Sequence, residues 1–251
     1  MKEDIERVAK SIGRARRVVV LTGAGVSRES GIPTFREAQT GLWANYDPER
    51  LATPQGFLAD PPLVWRWYDW RRSMLAAVQP NPGHYAIAEL QDLVADVVVV
   101  TQNIDGLHAK AGSRDVVELH GNISKFYCFD EHHVADDVPL GLEEPPRCRC
   151  GSLLRPGVVW FGEALPAEAF QRAADEAQRA DVVFVVGTSG LVYPAASLPY
   201  VAKQAGATVV EINPEQTPIT EIADLFLKGP SGQVFPRIIE ACKKLAADPS
   251  A

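Results

Sequence analysis

The sequence predicts an α/β protein, a doubly wound parallel sheet interrupted by a helical excursion and a small cysteine-bearing module. Four short β-branched runs, residues 18–21, 97–101, 182–186 and 208–212, are almost continuously apolar, as strands covered on both faces are, and each gives way to Gly, Asn or Pro. Between them lie stretches with helical spacing. Alternation of the two makes a layered sheet with ligand-binding loops at the carboxyl ends of its strands.

At 251 residues and 46% hydrophobic, the chain can bury a full core. Its 25 basic and 32 acidic residues give a formal charge of -7, which argues against binding driven by a nucleic-acid backbone and leaves a basic peptide open as a partner. No apolar run approaches the ~20 residues that cross a bilayer. The expectation is a cytoplasmic protein without membrane association.

In chain order, residues 1–17 mix acids and bases with Ile5, Val8 and Ile12, the pattern of a surface helix. The first apolar run breaks into Thr22-Gly23-Ala24-Gly25-Val26-Ser27. Glycines there allow close backbone approach to a pyrophosphate, although Gly-x-Gly without a third glycine also suits a plain tight turn. Residues 33–82, rich in Trp, Tyr and Pro, read as the helical excursion. Residues 84–95 set Ala86, Leu90, Leu93 and Val94 on one helix face, and residues 166–179 open on a helix-compatible proline. Phe235, Ile238, Ile239, Cys242, Leu245 and Ala246 form a last helical stripe that places Cys242 in the core. Residues 248–251 are expected to fray.

Directly after the second run, Thr101-Gln102-Asn103-Ile104-Asp105-Gly106-Leu107-His108 should project polar side chains from the sheet edge beside the Gly23 loop. The same residue types also cap helices and shape turns. His120 follows another short apolar segment; a histidine there can take a proton near neutral pH or serve structure. Three of the four cysteines, Cys128, Cys148 and Cys150, crowd one segment, which in a reducing compartment suggests metal ligation more than a disulfide framework.

Taken in order, Gly23-Ala24-Gly25-Val26-Ser27, Glu29 to Arg36, Thr101 to His108, His120-Gly121-Asn122, Phe161-Gly162-Glu163, Gly187-Thr188-Ser189 and Ile212-Asn213-Pro214-Glu215 resemble the signature blocks of the sirtuins, NAD-dependent protein lysine deacylases. The resemblance implies a single catalytic domain over 1–251. Its Rossmann-like part would comprise about 1–32, 83–123 and 157–251, with the excursion at 33–82 and the small module at 124–156. NAD would lie with its pyrophosphate and ribose groups near Gly23, Ala24, Ser27 and Arg36, and with Gly187, Thr188, Ser189 and Asn213 at the adenosine side; Ser231 joins the cofactor set. Gln102 and Asn103 would hold the nicotinamide ribose, and Ile104 and Asp105 the carboxamide. Phe35 would shield the site from water, or is an ordinary core aromatic.

The resemblance also implies the reaction. The acyl oxygen of a modified lysine attacks the anomeric carbon as nicotinamide leaves, giving an alkylamidate. His120, working beside Asn103, then takes a proton from a ribose hydroxyl, which attacks the acyl carbon and carries the group away from the lysine as O-acyl-ADP-ribose. The acylated peptide would add as a strand between Val159, Phe161, Gly162 and Glu163 on one side and Gly190 and Val192 on the other. Acylated lysine peptides and proteins are the expected partners, and a monomer the expected state.

Tyr68 and Arg71 are three apart and would share one helix face. They resemble the Tyr-x-x-Arg of sirtuins that remove succinyl and malonyl groups, where an arginine fork and a phenol can hold a distal carboxylate. The bland alternative is Arg71 paired with an acid at the surface and Tyr68 packed under the helix.

The module departs from the family pattern of two Cys-x-x-Cys pairs around zinc. Glu131 stands at the second ligand position, and Cys148-Arg149-Cys150 is one residue short. His132 or His133 could complete a zinc site with three thiolates, or the metal has been lost. Arg28 and Thr34 replace the usual residues, and residues 37–40 look long. The same cofactor grip would also serve an NAD glycohydrolase, an ADP-ribosyltransferase or a non-catalytic NAD sensor. Retention of the peptide edges, His120 and Asn103 favours the deacylase.

Overall fold

The computed structural model describes residues 1–32 and 48–247. The strands, in chain order, are β1 (Arg17–Thr22), β2 (Asp96–Thr101), β3 (Val116–Glu118), β4 (Gly121–Cys128), β5 (Val134–Ala135), β6 (Leu154–Val158), β7 (Val182–Val186), β8 (Thr208–Asn213) and β9 (Leu225–Lys228). The α-helices are α1 (Lys2–Arg14), α2 (Pro48–Leu51), α3 (Pro54–Ala59), α4 (Pro61–Ala77), α5 (Pro82–Glu89), α6 (Leu107–Lys110), α7 (Ala167–Arg179), α8 (Leu198–Gln204) and α9 (Ser231–Ala247).

Six of these strands form one parallel sheet in the order β3-β2-β1-β7-β8-β9. Successive side chains of a strand point to opposite faces, so the valine runs must be covered twice. Val18 and Val20 of β1 accordingly pack into the layer with Ile5, Val8 and Ile12 of α1, Ile87 of α5 and Phe235 and Ile238 of α9. Val19 and Leu21 face Ala173 and Ala177 of α7 and Leu198 and Ala202 of α8. β1 has β2 on one side and β7 on the other, so the order of connection reverses beside it, and a crevice opens beyond the carboxyl ends of these strands.

The small module is an antiparallel sheet in the order β5-β4-β6. It packs on α4, whose buried residues Leu63, Val64, Trp65, Trp67 and Tyr68 run around the helix because neighbours cover it from more than one side. Asp60 caps α4, accepting from the Leu63 amide at 3.1 Å, and prolines supply its first turn.

Some boundaries differ from those expected. The helix expected at 84–95 begins at Pro82, because Asn81 caps it by accepting from the Gly83 amide at 2.9 Å, and it gives way to a 3₁₀ turn at Leu90–Asp92. Ala86, Leu90 and Val94 are buried and Leu93 is partly so. The final stripe stops at Leu245, Ala246 being exposed. Among the described residues no helix is long and apolar enough to cross a membrane.

Candidate active site

The crevice is a cleft of about 1120 Å³, roomy for one small ligand and lined by loops that follow β1, β2, β3, β7 and β8 of the main sheet, by α4 and by the segment leaving β6. After β1 the chain turns into a 3₁₀ helix, Ala24–Ser30, closed by Gly31 at φ 82°. This loop lies against the one that follows β7, the Gly25 amide donating to the Gly187 carbonyl at 2.8 Å. A Cβ on Gly25 would come within 2.7 Å of that carbonyl, and one on Gly187, at φ 58°, within 2.5 Å of the Val26 nitrogen. Here glycine is a geometric necessity.

The loop after β2 is tied to the same place by a buried polar network. Asn103 Nδ2 donates to the Gly23 carbonyl and to Ser27 Oγ, both at 3.1 Å, while its amide donates to Thr101 Oγ1 at 3.0 Å. Ser27 Oγ donates to Asp105 at 2.7 Å, and Asp105 also accepts from the Leu107 amide at 2.9 Å. Burial raises the Asp105 pKa against these hydrogen bonds. Behind them lie Thr22, bonded to Thr101 at 2.8 Å and His108 at 2.9 Å, and His84, 3.5 Å from Ser27 Oγ. The rings of His84 and His108 are 4.9 Å apart and both are buried. Asn81, His84 and Thr22 carry no expected role in the sequence, and Trp160 falls within the expected peptide edge 159–163 without a role of its own. The Asn81-Pro82 cap was the one local signal available, marking His84 as the third residue of a helix beside the site.

Around the loop after β7, Gln102 Nε2 donates to Thr188 Oγ1 at 3.1 Å, and Asn213 Nδ2 to the Thr188 carbonyl at 2.8 Å. The loop after β8 is held by the buried carboxylate of Glu211, which accepts from Thr217 Oγ1 at 2.6 Å and from Thr220 Oγ1. His120, at the end of β3, is partly buried with Nδ1 2.9 Å from the Gln102 carbonyl oxygen. Burial lowers its pKa, partly offset by that hydrogen bond.

Gly23, Ala24, Ser27, Gln102, Asn103, Ile104, Asp105, His120, Gly187, Thr188, Ser189 and Asn213 all line this one cleft, together with Tyr68, Arg71, Val159, Phe161, Gly162, Glu163 and Val192. Two residues of the expected set do not. Gly190 lies behind the wall, where a Cβ would meet Ile219 at 2.8 Å, and Ser231 is buried at the start of α9 against Gly83. Phe35, Arg36, Thr34 and the 37–40 loop lie outside the described residues. Arg28 is exposed at the cleft rim.

In the module, Cys128, His133, Cys148 and Cys150 bring their ligand atoms within 4.8 Å of one another. Cys128 and Cys150 sulfurs are 3.7 Å apart, and Cys148 Sγ lies 3.6 Å from His133 Nδ1. Tetrahedral zinc with Zn–S bonds of about 2.3 Å separates its sulfurs by about 3.8 Å, so the donor set fits zinc. Of the two candidate histidines it is His133 that joins; His132, at φ 53°, turns away and meets Tyr127 edge-on. Glu131 is not part of the cluster.

Residues 23–194 match the model of the Sir2 family. The NAD-dependent protein deacylase 2 of Pyrobaculum aerophilum is 55% identical over 239 residues, covering 94% of this chain and 95% of its own. A Sir2 homologue solved as its NAD complex superposes with a TM-score of 0.89 at 47% identity, covering 95% of this chain and 94% of that one. A variant homologue in complex with 2'-O-acetyl ADP ribose gives 0.87 at 46% identity, covering 98% and 99%. The chain belongs to the Sir2 family and is an NAD-dependent protein deacylase.

Proposed function

We propose that the enzyme removes the acidic succinyl and malonyl groups, as well as acetyl, from protein lysines, releasing nicotinamide and O-acyl-ADP-ribose. The observation that carries this reading is the presence of Tyr68 and Arg71 in the same cleft as His120, Asn103 and the two glycine loops. Tyr68 is buried, and its oxygen accepts from Trp160 Nε1 at 3.0 Å. Burial raises its pKa, so it stays protonated and can donate. Arg71 remains a cation beside it. A carboxylate at the far end of an acyl chain satisfies both groups.

NAD supplies the electrophilic sugar carbon, and the protein supplies position and one base. A neutral His120 whose Nδ1–H is spent on the Gln102 carbonyl has its lone pair on Nε2, and we assign that atom to accept the ribose hydroxyl proton. Asn103 is assigned to the nicotinamide ribose, and Asp105 to the carboxamide. Gly23, Ala24, Ser27, Gly187, Thr188, Ser189 and Asn213 take the rest of the dinucleotide. The peptide would run between residues 159–163 and the exposed Leu191, Val192 and Tyr193.

The test is incubation with NAD and succinyl-, malonyl- or acetyl-lysine peptides, with products read by mass spectrometry. Peptide-dependent nicotinamide and matching O-acyl-ADP-ribose are expected from all three. Turnover of the acetyl peptide alone would overturn the acidic-acyl reading.

A further inference from the structure

We infer that Trp160 is a positioning residue for acyl preference: it fixes the direction in which Tyr68 presents its hydroxyl proton, and is itself held by Arg155 of the cysteine-bearing module. The inference rests on the acidic-acyl reading above.

An indole N–H can only donate, so in the 3.0 Å contact between Trp160 Nε1 and Tyr68 Oη the phenol oxygen is the acceptor. The hydroxyl proton is thereby turned elsewhere. Among the described residues it has no other hydrogen-bond partner, although Tyr68 is only 3% exposed. A buried O–H without an acceptor is costly, and an acceptor atom on a ligand in the cleft recovers that cost. Tyr68, Trp160 and Arg71 all line the cleft, so such a ligand atom would stand beside a cation.

Trp160 is held at three points. Its ring lies under the Arg155 guanidinium, 3.6 Å from centroid to Cζ, and its amide donates to Glu163 at 2.7 Å. The third point is Tyr68. Arg155, 3% exposed, grips Glu163 with both arms at 2.5 and 2.8 Å and donates to the Val158 carbonyl at 3.0 Å. It also faces the rings of Tyr127 and Phe129, which flank Cys128 in the chain. An unbroken set of contacts thus runs from the metal-ligand strand to the phenol.

The experiment compares kcat/KM on succinyl- and acetyl-lysine peptides. Trp160→Phe keeps a ring and deletes the donor; the succinyl-to-acetyl ratio should fall about fivefold, the worth of one hydrogen bond, through the KM of the succinyl peptide. In a Tyr68→Phe background the same change should shift the ratio no further. Arg155→Lys, which keeps the charge and loses the fork, should move the ratio the same way should Trp160→Phe fail to fold in a thermal scan. Equal losses on both peptides, or additive effects in the double variant, overturn the inference. If Tyr68→Phe and Arg71→Met move the ratio while Trp160→Phe does not, the inference fails and the acidic-acyl reading stands. A wild type inactive on succinyl peptides overturns both.

Discussion

Nδ1 of His120 lies 2.9 Å from the carbonyl oxygen of Gln102, the residue whose side chain reaches across to Thr188. One residue therefore sets the tautomer of the proposed base and braces the cofactor loops. Burial holds the His120 pKa below its ordinary value, so the acid limb of kcat/KM should fall below pH ~6.5, and His120→Ala should cost at least ~100-fold in kcat. An acid limb above pH ~6.5 in a pH-rate profile would refute the assignment.

Asn103 offers both of its Nδ2 hydrogens to neighbours, the Gly23 carbonyl and Ser27 Oγ. Asn103→Asp removes these donors and sets a carboxylate near Asp105, which Ser27 also contacts. A loss of about 2 kcal/mol in cofactor affinity is expected, roughly thirtyfold in the dissociation constant of ADP-ribose by calorimetry. Unchanged binding would show that the network is not part of the grip.

Burial holds His84 at about 4 and His108, with His84 beside it, at about 3. The folded protein thus refuses protons that the unfolded chain accepts near pH ~6.5. Stability should be full above pH ~6.5 and fall as the pH drops towards 4, by up to about 1.4 kcal/mol per pH unit for each histidine. Urea midpoints at pH 7, 6 and 5 test this, and a flat series would contradict it.

Protein purified without chelator should carry about one zinc per chain by elemental analysis. His133→Ala should lose most of it and lower the melting temperature, while His132→Ala should keep it. Equal zinc in both variants would remove His133 from the ligand set.

Arg71→Met keeps an unbranched apolar stem and removes the charged fork. Turnover of succinyl and malonyl peptides should drop by ~10-fold or more relative to acetyl. A uniform loss on all three peptides would assign Arg71 to packing, in line with its contact over the Trp67 ring at 5.7 Å.

The parts legible in the sequence are those with a strong local signature. β1, β2, β7 and β8 are valine-rich because both faces are covered, so their positions could be read within a residue. β9 was missed since Leu225–Lys228 is short, alternates and holds no β-branched residue. The choice between His132 and His133 depends on the left-handed backbone of His132, which spacing cannot report. The pairing of Trp160 with Tyr68 spans 92 residues, and that of Thr22 with His108 spans 86. No local pattern encodes such meetings; the first arises from how the segment leaving β6 packs on α4, the second from how α6 lies over the end of β1.

Where Gly23, Gly25 and Gly187 interlock, the floor of the cleft is made of main chain. Substitution is opposed there, since a Cβ on any of the three would press the loops after β1 and β7 apart. The residues we assign to the acyl group, Tyr68, Arg71 and Trp160, come instead from α4 and from the segment leaving β6. A catalyst assembled in this way keeps one constant co-substrate while its taste in acyl chains is free to evolve.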